Sequence, residues 1–154
     1  MAIEIMPNRL DKGFFRYQEE LESKAIEVLR SGWYVLGPEV KAFEEEFAQY
    51  TGAKHCVGLA SGLDALWLAF KVLGIGKGDE VIVQANTYIA SVMGVTINDA
   101  TPVFIEPDEY YNIDTEQLEA LITPKTKAIL VVHLYGQASN MQKIVELCKK
   151  YKES

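Results

Sequence analysis

The segment best suited to chemistry is a short apolar run that ends in a serine–glycine turn and continues as an apolar helix, residues 57–70. Ser61 and Gly62 form the turn, and Leu63 and Asp64 follow it. The first amide N–H groups of a helix have no partner within the helix, and the helix dipole adds about half a positive charge there. The turn therefore predicts an anion site, with a phosphate-bearing ligand as the first hypothesis. The alternative is that Ser61 only caps the helix and Asp64 favours the positive end of the dipole.

Two more side chains are candidates because of where they stand. Tyr88 follows a predicted strand, where its ring could lie flat on a planar ligand or pack on the core. His133 ends another predicted strand, and a hydrogen-bonded structural histidine is the alternative to a functional one. No residues have the spacing of metal ligands, and no Ser or Cys lies in a nucleophile elbow. We therefore expect no metal site.

The composition narrows the class of protein. The 154 residues are 49% apolar, enough for one domain with an ordinary core. A net charge of −7 argues against nucleic-acid binding, which needs clustered Lys and Arg. The sequence has neither a long apolar run nor a signal peptide, so we expect no membrane segment. Cys56 and Cys148 do not form a disulfide framework, which favours reduced thiols and a cytoplasmic protein.

Hydrophobic periodicity predicts two helices first, over residues 17–31 and from Pro38 to about Tyr50, and then strands alternating with helices. The predicted strands are His55–Ala60, Glu80–Gln84, Pro102–Ile105 and Lys127–His133. The predicted helices between and after them are Gly62–Leu73, Tyr88–Asn98, one starting at Asp114 by the capping-box pattern, and Asn140–Tyr151. Apolar runs without alternation indicate strands buried on both faces, as in a parallel sheet covered by helices. The predicted class is α/β, a three-layer fold with a mostly parallel sheet, in which residues 1–54 form a helical segment and residues 55–154 the α/β part.

The carboxyl ends of the predicted strands lead into three polar or aromatic loops. In open parallel sheets, ligands bind beyond these strand ends. The loops 61–64, 85–88 and 133–137 are therefore expected to converge in space.

Several segments together resemble one family. They are Ser31–Val40 with Phe43 and Glu44, Gly52–His55, Ala60–Leu66, Gly78–Ile82, Ala85–Tyr88, Ala100–Phe104, Tyr111–Asp114 and Val132–Gln137. In this order they resemble the N-terminal part of the DegT-family nucleotide-sugar aminotransferases, which are fold-type I enzymes that use pyridoxal 5′-phosphate (PLP). The resemblance runs from about Pro7 to Tyr151 and implies an incomplete large domain of that fold.

The resemblance implies roles for six residues. Gly62, Leu63 and Asp64 match the turn whose backbone N–H groups bind the PLP phosphate, and Tyr88 matches the aromatic residue that stacks on the cofactor ring. The usual pattern has Thr where this chain has Leu63, so the bond from a threonine hydroxyl to the phosphate is absent here. The segments that contain Tyr34 and His133 match regions near the sugar in such enzymes.

The resemblance also implies what lies outside this sequence. The acidic residue that pairs with the pyridine nitrogen would follow Ser154, and the Schiff-base lysine would come later still. We therefore expect no catalytic residue in this chain and no aminotransferase activity from it alone. The family sheet runs 3-2-4-5-6-7-1, so the second, third and fourth predicted strands would be adjacent and the first would stand apart.

For the whole enzyme, the resemblance implies glutamate as amino donor, a nucleotide-linked keto-deoxysugar as acceptor, and a homodimer. Two alternatives stay open. Some family members use PLP for sugar dehydration, with His in place of the lysine. The polypeptide could also be a binding or assembly module without catalysis.

Overall fold

A computed structural model describes residues 9–152 of the chain. The chain forms two compact units, the first ending at Gly58 and the second beginning at Leu59. The boundary predicted after Lys54 falls a few residues before this division. Between Arg9 and Lys152, none of the helices combines the length and the apolar character needed to cross a membrane.

The first unit is made of three helices, α1 (Leu10–Arg16), α2 (Gln18–Ser31) and α3 (Pro38–Thr51). Helix α2 ends at Gly32, whose φ of 68° is the left-handed conformation that glycine adopts without strain. Helix α3 begins with Pro38 in its first turn, where the missing N–H costs no hydrogen bond. Both helices agree with the sequence prediction, whereas α1 was not predicted.

The apolar faces of α2 and α3 are largely exposed. Leu29, Phe43 and Phe47 all expose more than two fifths of their surface, and Ala48 is the one buried residue of α3. The Glu44 carboxylate accepts a hydrogen bond from the Gly58 amide at 2.6 Å. That bond holds the chain after α3 against the helix.

The second unit is an α/β arrangement, as predicted. Its elements are α4 (Gly62–Val72), β1 (Glu80–Gln84), α5 (Ile89–Thr96), β2 (Thr101–Ile105), α6 (Leu118–Leu121), β3 (Thr126–Leu130), a 3₁₀ turn (Leu134–Gly136) and α7 (Met141–Lys152). The three strands are parallel in the order β2-β1-β3. This is the order that the family sheet implies for the second, third and fourth predicted strands, so that expectation is confirmed.

The predicted strand His55–Ala60 is wrong for this structure. Residues 55–60 have no strand assignment, and none of the three described strands pairs with them. An extended segment becomes a strand only when a neighbour accepts and donates its backbone hydrogen bonds. The result agrees with a sheet order in which this segment does not adjoin the other strands.

The side chains of the central strand β1 lie in the middle of the hydrophobic core. Val81, Ile82 and Val83 are fully buried, as the apolar run predicted. Because alternate side chains of a strand point to opposite faces, Val81 and Ile82 belong to two different clusters. The first is Phe70, Ile75, Val81, Val95 and Ala100, and the second is Ile82, Ile105, Ile113, Leu118 and Ile144. Helices therefore cover both faces of the sheet.

Two boundaries differ from the prediction. Strand β3 ends at Leu130, three residues before His133, and it is only partly buried because it forms one edge of the described sheet. The helix predicted to start at Asp114 begins at Leu118 and is four residues long. The Asp114 carboxylate accepts hydrogen bonds from the Glu116 amide and from the Gln117 side chain. These bonds stabilise a turn in place of the first helical turn.

Helices α4 and α5 pack closely against each other at Gly94. A Cβ atom added there would lie 2.7 Å from the Leu66 Cβ, so the helices would have to move apart. We expect Gly94→Ala to lower the free energy of unfolding by about 1–2 kcal/mol, because the overpacking cost exceeds the gain in helix propensity. Urea denaturation followed by circular dichroism measures the change.

Gly13→Ala is the matched control. Gly13 is also helical, and nothing lies within 4 Å of an added Cβ there. This variant is expected to be as stable as the parent or slightly more stable. Equal stability of Gly94→Ala and the parent would contradict the close approach of α4 and α5.

Candidate functional site

A cavity of about 680 Å³ lies between the N-terminal ends of α4 and α5. Its lining is mostly apolar and comes from Ser61, Gly62, Leu63, Leu66, Tyr88, Ile89, Ala90, Ser91 and Met93. The volume falls within the usual range of small-molecule sites. Two of the three loops expected to converge, residues 61–64 and 85–88, therefore meet at one cavity.

The start of α4 has two free amides, and they belong to residues that line this cavity. Ser61 is extended, with φ −155° and ψ 163°, and its hydroxyl oxygen accepts the Asp64 N–H at 3.1 Å. Among the described residues, the N–H groups of Gly62 and Leu63 have no hydrogen-bond acceptor. The Asp64 amide, which the sequence assigned to a phosphate, is thus occupied by the cap. The capping hypothesis therefore holds for the Asp64 amide, and the anion hypothesis stays a prediction for the amides of Gly62 and Leu63.

Two hydrogen bonds from residues at the start of α4 hold the Asp64 carboxylate in place. One oxygen accepts the Ser61 hydroxyl at 2.9 Å, and the other accepts the Trp67 indole N–H at 3.0 Å. These bonds, the one from Trp67 first, lower the pKa of the Asp64 carboxyl below its ordinary value. The carboxylate is therefore ionised at neutral pH. It is not among the residues that line the cavity, so it stabilises the helix start without entering the cavity.

Tyr88 lies at the other wall of the cavity. It is the residue that precedes α5, with φ −64° and ψ 141°, and 76% of its surface is exposed. The alternative that its ring packs on the core is therefore wrong. Leu63 also lines the cavity and is half-buried, and it supplies an apolar side chain where the family pattern has a hydroxyl.

The third loop, residues 133–137, does not line the cavity. His133 is exposed, and its Nδ1 accepts the Ser139 N–H at 3.2 Å. Tyr135 instead makes an edge-to-face contact with Tyr111, with ring centroids 6.0 Å apart. Through this contact with Tyr111, whose carbonyl binds Gln84 at the end of β1, the loop packs near the carboxyl ends of the strands. The substrate role of His133 stays a prediction.

Tyr34 belongs to the first unit. Its hydroxyl donates to the Leu29 carbonyl at 3.0 Å, and 63% of its surface is exposed. This bond ties the connector after α2 back to the last turns of that helix. The substrate role of Tyr34 also stays a prediction.

Three residues that support the loop before Tyr88 were not predicted from the sequence. Gln84 ends β1 with no exposed surface, and Asn86 follows it in the loop that leads to Tyr88. The Nε2 of Gln84 and the Nδ2 of Asn86 both donate to the Tyr111 carbonyl, at 3.3 and 3.1 Å. Tyr111 has a φ of 65°, a left-handed conformation that costs a residue with a Cβ about 1–2 kcal/mol. A polar residue that ends a fully apolar run was the available signal for Gln84.

The other features of the second unit offer no comparable chemistry. A groove between α6 and α7 is lined by alternating acidic and basic side chains, in which Lys143 pairs with Glu116 and Lys150 with Glu119. These exposed pairs satisfy one another. Within residues 9–152, no cluster of His, Cys, Asp and Glu could hold a metal ion.

Comparison with known proteins identifies relatives along nearly the whole chain. Residues 16–153 match the model of the DegT/DnrJ/EryC1/StrS aminotransferase family. The chain is 56% identical over 137 residues to dTDP-3-amino-3,6-dideoxy-alpha-D-galactopyranose transaminase of Aneurinibacillus thermoaerophilus, an alignment that covers 88% of this chain and 38% of that protein.

Solved structures give the same result. DesV of S. venezuelae, crystallised with a ketimine intermediate, matches with a TM-score of 0.88 and 46% identity over 94% of this chain and 39% of that one. The PLP form of the sugar aminotransferase Spr1654 from Streptococcus pneumoniae matches with a TM-score of 0.81 and 37% identity, over 85% and 34%. The chain thus spans less than half the length of the relatives it matches. Both the resemblance and the fold class inferred from the sequence are confirmed: the chain belongs to the DegT/DnrJ/EryC1/StrS aminotransferase family.

Proposed function

We propose that this chain is the part of a PLP-dependent sugar aminotransferase that holds the phosphate and one ring face of the cofactor. The intact enzyme would move an amino group from glutamate to the keto group of a nucleotide-linked deoxysugar. The observation that supports this most is one cavity bounded by the free amides of Gly62 and Leu63 and by the exposed ring of Tyr88. The relatives' activity provides the reaction class.

The residues around the cavity fit PLP. Two amides at a helix N-terminus suit a phosphate, because they add N–H donors to the positive end of the helix dipole. Tyr88 offers a flat aromatic face, and Leu66 and Met93 give the cavity apolar walls. When bound, PLP supplies an electron sink for charge that develops at a neighbouring carbon. The proposed role of this chain is to anchor and orient PLP.

The proposal includes a lack of turnover by this polypeptide alone. The chain has 12 lysines, and among the described residues none lines the cavity. Transamination by a PLP enzyme needs a lysine that holds the cofactor covalently and moves a proton. We therefore assign the transfer step to residues outside this sequence.

We also propose that the intact enzyme is a homodimer, as in the family it resembles. Along α4 and α5, the side chains of Val72, Leu73, Ile89 and Ile97 are each at least half exposed. Where apolar side chains this exposed lie together, they commonly mark a protein interface. A second copy or a further part of the enzyme would bury this surface.

Gly62→Pro tests the phosphate site directly. Gly62 is the first helical residue and follows an extended Ser61, so proline fits the backbone there while removing one free N–H. We expect the affinity for PLP and for inorganic phosphate to fall about tenfold or more, the usual loss for one hydrogen bond to a charged group. Isothermal titration calorimetry measures both dissociation constants.

Gly62→Ala is the matched control because it keeps the N–H, and an added Cβ meets no atom within 4 Å. It is expected to bind both ligands as the parent does. Equal affinities of Gly62→Pro and Gly62→Ala would mean that this amide does not hold the phosphate.

The absence of turnover has its own test. The purified 154-residue polypeptide is incubated with PLP, glutamate and a dTDP-linked keto-deoxysugar, and the amino sugar and 2-oxoglutarate are measured by mass spectrometry. No product above the protein-free control is expected, because the lysine is missing from the cavity. Catalytic turnover by the pure polypeptide would contradict the assignment of the transfer step to residues elsewhere.

A further inference from the structure

Two side-chain carboxamides converge on one backbone carbonyl beside the cavity. Gln84 Nε2 and Asn86 Nδ2 lie 3.3 and 3.1 Å from the Tyr111 carbonyl oxygen, and Gln84 Nε2 also donates to Asn86 Oδ1 at 3.1 Å. We call these three groups the carboxamide latch. It connects the loop after β1 to the loop after β2.

The latch is a specific arrangement that local backbone preference does not explain. Gln84 is fully buried, and its Oε1 has no hydrogen-bond partner. Tyr111 keeps its left-handed backbone, which aims its carbonyl at the two donors. Burying an unpartnered oxygen and keeping a strained residue are both unfavourable. Strained or unsatisfied groups of this kind cluster at functional sites, and here both are hydrogen-bonded to Asn86, two residues before Tyr88.

The loop that the latch fixes is the one that presents Tyr88. The Ala85 amide donates to the Ile105 carbonyl at 2.9 Å, and the Thr87 and Ser91 hydroxyls are 2.9 Å apart. Asn86 lies between these two anchors and is bound to Tyr111. Within residues 9–152, no aromatic ring stacks on Tyr88, and its ring is mostly exposed. The place of the ring therefore depends on the backbone of residues 85–88.

We propose that Asn86 is a positioning residue for the cofactor: through the carboxamide latch it fixes the loop so that the Tyr88 ring stands over the cavity, ready to stack on a planar ligand. This inference rests on the proposed function, because the ligand it concerns is PLP. Asn86 does not itself line the cavity, so it acts through Tyr88. A purely structural latch would stabilise the fold without favouring ring binding over phosphate binding.

The test is a double-mutant cycle on the full 154-residue chain, with PLP and inorganic phosphate as the two probes. Asn86→Ala, Tyr88→Ala and the double variant are titrated by calorimetry. Asn86→Ala should weaken PLP binding about three- to tenfold, the range of an aromatic contact, and change phosphate binding less than about twofold. In the Tyr88→Ala background, the same substitution should have almost no effect on PLP, because the ring it positions is absent.

Two further variants complete the test of the positioning role. Asn86→Leu keeps a similar size and removes the donor without adding a charge, so it should weaken PLP binding as Asn86→Ala does. Gln142→Ala is the control, since this exposed side chain also donates an amide hydrogen bond, here to the Glu146 carboxylate on α7, and it should leave both affinities unchanged. Thermal melts confirm that each variant is folded.

Each outcome decides between the proposals. Additive losses in the double variant, or equal losses for PLP and phosphate, would overturn the positioning role while the proposed function stands. Parent-like PLP binding by Asn86→Ala would overturn it as well. If the parent chain binds neither probe, the proposed function fails, and this inference fails with it.

Discussion

The first turn of a helix leaves N–H groups that the helix itself cannot satisfy, and the candidate site of this chain depends on how α4 uses three of them. The Ser61 hydroxyl takes the Asp64 amide, whereas the amides of Gly62 and Leu63 stay free at the edge of a cavity. The same hydroxyl donates to the Asp64 carboxylate and so has no hydrogen to offer a ligand. We therefore propose that anion binding at this turn relies on main-chain N–H groups and the helix dipole.

The rest of the second unit keeps this turn opposite Tyr88. Strand β1 is buried on both faces and carries the α4–α5 layer on one side. The two helices pack closely at Gly94, which has no side chain to separate them. On the other side of the cavity, the carboxamide latch holds the loop that presents Tyr88. One wall of the cavity is thus a helix start, and the other is a loop fixed by hydrogen bonds.

Much of this arrangement could be predicted from the sequence, because its signals are local. The apolar run Val81–Val83 indicated a buried parallel strand, and the Ser61–Gly62 turn indicated a capped helix. The strand expected at His55–Ala60 failed, because pairing depends on a neighbour that no local pattern reveals. The Asn86–Tyr111 hydrogen bond joins residues 25 positions apart, so no spacing rule could find it.

The central claim is that the Gly62 and Leu63 amides hold the anionic group of the cofactor. Amide NMR of the ¹⁵N-labelled chain tests it most directly, because each N–H gives its own resonance. During titration with PLP, and with inorganic phosphate, the account predicts large saturable shifts for Gly62 and Leu63 and a smaller one for Asp64, whose N–H already has an acceptor. Saturable shifts elsewhere with Gly62 and Leu63 unmoved, or no shifts at all, would contradict it.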